Sequence, residues 1–207
     1  MNIVSLFCLG VLHLGFFGSD CAKAALLCAQ TTPATKPAAG TLEISFLFNK
    51  AEGVVPSYQI AMWLEDEEGR YVKTLFVSEY LAGPGISLEV VCPDWVKQAR
   101  WDKVADSEFD AATHPTPPVG ANTMKFDCGK RGIAPGNYRF CVQAHIHENY
   151  NILYRGRIVL GQGATEGVAE AFYSPRKHPL AAEILYNVRA RYLPGKETGS
   201  STSAEKP

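Results

Sequence analysis

The stretch Tyr138-Arg139-Phe140-Cys141-Val142-Gln143-Ala144-His145-Ile146-His147 places Phe140, Val142, Ala144 and Ile146 on one side and Cys141, Gln143, His145 and His147 on the other. Side chains of an extended chain point alternately to opposite faces, so this period of two describes a strand with one face in a core. Burying each large apolar member contributes roughly 1.5–3 kcal/mol. A one-residue slip would bury both imidazoles, which fixes the register. The row carrying Cys141, Gln143 and the histidines is expected to face water.

The same rhythm runs outward in both directions. Leu42, Ile44, Phe46 and Phe48 alternate with Glu43, Ser45 and Leu47; Tyr58, Ile60, Met62 and Leu64 repeat the pattern, Glu67-Glu68-Gly69 turns, and Tyr71 to Ser78 returns as a hairpin. The acids from Glu65 to Glu68 read as a solvated turn, because a calcium loop needs more ligands at set spacings. Ile86 to Val91 is an apolar run closed by Cys92-Pro93, and Asp94 stands where it would cap a short helix from Trp95 to Trp101. Asn122 to Asp127 and Ile152 to Leu160 follow as strands, the second turning its Ile152, Tyr154, Ile158 and Leu160 inward, and Gly161-x-Gly163 marks a turn. In a final strand Ile184, Tyr186, Val188, Ala190 and Tyr192 are expected inside, with Leu185, Asn187, Arg189 and Arg191 outside. Seven to nine short strands with hairpin turns predict an all-β fold, an immunoglobulin-like β-sandwich with a short helix and flexible termini; a barrel is the alternative.

The 207 residues, 46% hydrophobic and 20% charged, fit one domain with tails. Lys and Arg number 20 against 21 Asp and Glu, so no chain-wide field exists to hold a phosphate backbone and nucleic acid is not an expected partner. Ile3 to Phe17 has the length of a signal-peptide core, and Ala22-Lys23-Ala24 supplies a cleavage site, giving a leader over residues 1–24; Cys28-Ala29 is the second site, and an uncleaved anchor the other reading. Residues 25–40 read as a linker, 41–193 as the folded body and 194–207 as a polar tail. No later segment reaches the roughly 20 apolar residues of a spanning helix, so the mature chain is expected outside the cytoplasm without a transmembrane span. In that oxidising setting one disulfide among Cys92, Cys128 and Cys141 is expected, adding on the order of 2–4 kcal/mol, with the pairing left open by the sequence.

His145 and His147 have roots about 6.6 Å apart by strand rise, a spacing that can chelate one divalent metal, with His114, Cys141 or Glu148 to complete it; two solvent-facing histidines beside Arg155 and Arg157 are the plainer reading. A nucleophile elbow, a phosphate-binding glycine loop and a zincin helix are all missing, so no catalytic residue is assigned and a non-catalytic chain is expected. Trp95 and Trp101 are read as plugging an edge of the sandwich, with an exposed partner-binding patch as the alternative.

Tyr58-x-x-x-x-Trp63-x-Glu65-Asp66, leading through Gly69 to Val72-x-Thr74-Leu75, is followed by Asp110-Ala111-Ala112-Thr113-x-x-Thr116, Gly120, Asp127 and Pro135-Gly136-x-Tyr138. Over residues 42–161 this series resembles the predicted periplasmic domain of unknown function 2271 (DUF2271). The resemblance implies an exported sandwich similar to the immunoglobulin-like domain of the flagellar hook cap, with Phe126-Asp127-Cys128 in place of the family's Trp-Asp-Gly. It also implies a stretch similar to the one read by enzymes that attach flavin mononucleotide (FMN) to threonine, on which Asp110, Thr113 and Thr116 fall. Here His114 and Pro115 replace Gly-Ala; Gly permits backbone conformations closed to His, and Pro lacks an amide donor, so a structural loop is expected and a flavin on Thr116 is the alternative. Family members resembling this chain accompany membrane PepSY proteins and flavin-transfer enzymes. That association implies a binding or accessory module for a membrane, redox or iron-handling partner.

Overall fold

The computed structural model describes residues 36–195 apart from Leu88 and Ala182. The expected leader with its cleavage sites and cysteines, and most of the expected linker and tail, lie outside the described residues. In chain order the strands are β1 (Gly40–Phe48), β2 (Gln59–Glu65), β3 (Tyr71–Ser78), β4 (Thr113–His114), β5 (Gly120–Asp127), β6 (Gly136–His147), β7 (Tyr150–Leu160), β8 (Thr165–Val168), β9 (Glu170–Ser174) and β10 (Leu185–Pro194). Three short helices, α1 (Glu79–Ala82), α2 (Pro93–Ala99) and α3 (Asp106–Ala112), fall between β3 and β4. The strands form two separate sheets, ordered β5-β1-β10-β8 and β4-β3-β2-β6-β7-β9, so the fold is a sandwich and not a closed barrel.

Between the sheets lies the core that the alternating residues announce. Leu42, Ile44, Phe46 and Phe48 of β1 face Ile60, Met62 and Leu64 of β2 and Phe140, Val142, Ala144 and Ile146 of β6, all buried. The hairpin of β2 and β3 forms as expected, and every strand neighbour is antiparallel except the two-residue pairing of β3 with β4. Gly156 and Gly167 let β7 and β8 close one side: a Cβ on Gly156 would lie 2.5 Å from Phe140 Cζ and 2.7 Å from the Val168 carbonyl, and one on Gly167 would strike the Arg157 carbonyl. Between Val168 and Glu170 the chain passes from one sheet to the other, since β8 pairs with β10 and β9 with β7.

Two expectations are corrected here. In β10 the ladder slips between Ser45 and Leu47 of β1, and Asn187 takes a left-handed conformation, φ 55°. This bulge inserts a residue and inverts the phase, so Leu185 is buried beside Val188 while Tyr186, expected inside, is only partly covered. The short helix begins at Pro93 with Cys92, not Asp94, at its N-cap; proline has no amide to leave unpaired at the first helical position.

The larger correction concerns the outer face of the six-stranded sheet. Cys141 and Gln143, expected in water, are buried because α1, α2, α3 and their connections pack over that face, and His145 is buried with Ser57 and the Glu148 carbonyl on its ring nitrogens. A second core results, built from Ala61, Trp63, Val77, Cys141 and Leu153 of the sheet and Leu81, Trp95, Trp101 and Ala112 above it. The two tryptophans therefore cover a sheet face: their rings stand 5.3 Å apart, with Phe109 5.7 Å beyond Trp101. Among the described residues no helix is long and apolar enough to cross a membrane.

Candidate functional site

The helical layer covers only part of the outer face, so the polar side chains of β6 and β7 divide into two groups. In the covered part they complete the backbone of the layer above. A seven-residue helix has little stability alone, and its first amides lack internal partners. Gln143 Oε1 accepts both the Asp94 and Trp95 amides, each at 3.1 Å, while its Nε2 donates to Asp94 Oδ2 at 2.6 Å. The sheet thus supplies the helix cap. Asn151 does the same one step back, accepting the Cys92 amide at 3.0 Å and donating to the Val90 carbonyl at 2.8 Å.

His145 is likewise structural. Its Nε2 lies 2.8 Å from the Glu148 carbonyl, which can only accept, so the proton sits there and Nδ1 accepts the Ser57 hydroxyl at 2.5 Å. Both ring nitrogens are engaged. A bulge separates His145 from His147, whose ring is partly exposed and 3.7 Å from Glu148 Oε1. The structure does not bring the two imidazoles to one point, and among the described residues no group of three or more His, Cys, Asp or Glu side chains is gathered to hold a metal. Burial drives the His145 pKa below its ordinary 6.5, the Glu148 carbonyl opposing and the His147 charge adding to the fall. A depressed folded value means that the unfolded chain binds the proton more readily, so the stabilisation is complete above about pH 6.5 and is lost as pH falls through the folded value. Unfolding midpoints at about pH 7.5 and about pH 5 should therefore differ more in the wild type than in His145→Asn; equal differences would refute the assignment.

Cys92, Cys128 and Cys141, the candidates for a disulfide, are free and buried among the described residues. They belong to separate places: Cys128 lies in the core between the sheets, Cys141 and Cys92 under the helical layer, where the Cys92 thiol faces the Gln59 and Gln143 carbonyls. Burial pushes all three thiols above their ordinary range; at Cys141 the Glu65 carboxylate adds to the rise and Arg155 opposes it. Iodoacetamide at about pH 8 should leave the peptides holding Cys92 and Cys141 unlabelled in native protein and label them in urea. Fast native labelling would contradict the packing.

The uncovered part of the face carries arginines. Register sets Arg139 of β6 directly opposite Arg157 of β7, and Arg155 opposite Cys141, so all three guanidinium stems leave the same side of the sheet. Like charges facing across a ladder are unfavourable. Arg155 is neutralised by Glu65, which is 0% exposed: Glu65 Oε1 accepts Arg155 Nη2 at 3.0 Å, Trp63 Nε1 at 3.1 Å and Gln98 Nε2 at 3.3 Å. Glu65 Oε2 and Arg155 Nε have no partner among the described residues. Arg139 donates to the Glu67 carbonyl, and its Nη1 comes within 3.1 Å of where a Cβ on Gly69 would sit. Among the described residues neither Arg139 nor Arg157 has a carboxylate oxygen within 4.0 Å. Two clefts flank this pair. One of about 580 Å³ is lined by Glu67, Asn137, Thr165 and Glu166 besides the pair, and one of about 500 Å³ by Arg155, Val168, Glu170 and Phe172.

Of the residues on which the flavin resemblance falls, Asp110 is exposed on α3, Thr113 lies in β4 beside Val77, and Thr116 follows in the proline-rich connection to β5. Thr116 lines a separate cleft of about 440 Å³ with Phe76, His114, Lys125, Phe126 and Arg131. His114 stacks on Phe76 at 5.9 Å, and Thr113 Oγ1 is buried without a partner. Arg139 drew no notice in the sequence, and Arg155 and Arg157 entered only as cations beside the histidines. The available signal was an alternation in which arginine, at 155 and 157, sits two residues apart on a strand whose other row is apolar.

Two packed sheets with helices over one outer face, and an arginine pair at its open end, define an all-β sandwich domain. The chain belongs to the family described as predicted periplasmic protein (DUF2271), which matches residues 41–171. Its place is accordingly the periplasm. No curated protein and no solved structure matches the chain.

Proposed function

We propose that this periplasmic domain is a non-catalytic binding or accessory module, serving a membrane or redox partner, and that the open arginine end of the six-stranded sheet recognises an anionic group. The observation carrying this reading is the direct opposition of Arg139 and Arg157 without a carboxylate within 4.0 Å of either among the described residues. A bound oxyanion would turn that repulsion into two charge-assisted hydrogen-bonding sites. Inorganic phosphate, at matched ionic strength against chloride, should raise the melting temperature of the wild type and not that of the Arg139→Ala/Arg157→Ala variant. An equal shift in both proteins, or none in either, refutes the reading.

A second reading is a covalently attached FMN at Thr116, favoured by the placement of Thr116 in one cleft with Lys125 and Arg131, charges suited to a phosphate, and with Phe76 and Phe126. The intact mass of protein purified from its native envelope decides it. A mass without a flavin adduct removes this reading and leaves the first untouched.

A further inference from the structure

We propose that the cleft bounded by Arg139, Arg155, Arg157, Val168 and Phe172 takes a small amphipathic oxyanion, a carboxylate or phosphate carried on an apolar or aromatic stem. This rests on the anion-binding reading above and adds the class of ligand. The cleft, about 500 Å³, joins two unlike walls. On one are the three guanidiniums. On the other are Val168, 70% exposed, and Phe172, 49% exposed, two apolar side chains left in water beside them.

The topology makes this pairing. Register places Leu153 opposite Phe172 and Arg155 opposite Glu170, so Phe172 and Glu170 stand on the arginine side of the sheet. Val168 ends β8, at the point where the chain leaves one sheet for the other, and lines the same cleft. A planar guanidinium engages two oxygens of a carboxylate or phosphate at once, and its position fixes where the remainder of the ligand lies. Three guanidiniums against the carboxylates of Glu65 and Glu170 leave one positive charge in excess. Arg155 spends Nη2 on Glu65 and its Nε is buried, so Arg139 and Arg157 present the open donors. An oxyanion alone would use the arginine wall only; an attached ring or short alkyl stem would also cover Phe172 and Val168, removing apolar area from water.

Calorimetric titration of the full chain tests this with two probe pairs, phenyl phosphate against inorganic phosphate and benzoate against acetate. In at least one pair the apolar stem should tighten binding by about tenfold. Phe172→Ala should erase that advantage and leave the affinity for the bare ion unchanged, whereas Arg157→Ala should weaken both members of the pair. Both side chains are at the surface, and circular dichroism checks that the variants fold. Equal affinity within each pair, or an advantage that survives Phe172→Ala, overturns the amphipathic ligand while the anion reading stands. Binding unchanged by Arg157→Ala overturns the assignment to this cleft, and binding of none of the four probes overturns both proposals.

Discussion

Trp95→Ala should destabilise the protein by about 3–5 kcal/mol, the range for removing a large aromatic side chain from a packed core. Trp95 is fully buried, packs on Trp101 and donates Nε1 to Thr74 Oγ1 at 3.0 Å. It is also the only wholly buried side chain of α2, a helix too short to persist without packing. Its loss therefore opens a cavity in the second core and frees the layer that shelters Cys141 and Gln143. Urea unfolding measures the cost, and Trp95→Phe, which keeps most of the volume but not the hydrogen bond, should lose less. A cost below about 1 kcal/mol for the alanine variant would show that the helical layer contributes little to the fold.

Arg155→Met should cost about 3 kcal/mol, because it leaves the Glu65 carboxylate buried with only the Trp63 and Gln98 donors. The reverse truncation is cheaper. Arg155 is 31% exposed at its side chain and can turn toward water when Glu65→Gln removes its partner, so that variant should lose about 1 kcal/mol. Replacing both residues with Met removes the stranded charge and should recover part of the Arg155→Met loss. Chemical denaturation of the three variants reads the asymmetry, and equal costs for the two single changes would contradict the burial of Glu65 as the cause.

The period of two revealed β1, β2 and β6 because each has an unbroken apolar row facing the same core, and β7, whose row only Gly156 interrupts; β3 was read as the return of a hairpin after the Glu67-Glu68-Gly69 turn. It could not reveal what lies on the other row. Cys141, Gln143 and His145 are small or uncharged polar groups that suit water and a hydrogen-bonded interior equally well, and the helices covering the first two come from a segment far away in sequence. One clue was present in β2, where Ala61 and Trp63 fill the row opposite Ile60, Met62 and Leu64. The bulge at Asn187 was hidden for another reason: a left-handed residue inverts the phase without changing the composition of β10. Strands β8 and β9 are short, border the sheets and keep most side chains in water, so they carry no apolar rhythm at all. At the site, the resemblance singled out Thr116 and the histidine spacing singled out His145 and His147. The Arg139–Arg157 pair depends on register between two strands, which neither spacing nor composition encodes.

Strand β10 lies between β1 and β8 in the four-stranded sheet, yet it begins at Leu185, beyond residue 171 where the family match stops. The unit that folds is thus longer than the unit that is recognisable by descent. A chain ended at residue 171 would lose the ladder joining β1 to β8, uncovering the backbone donors and acceptors of β1 along one whole side. Such an open border invites pairing with another molecule and aggregation. The stretch outside the family match is what covers that side of β1.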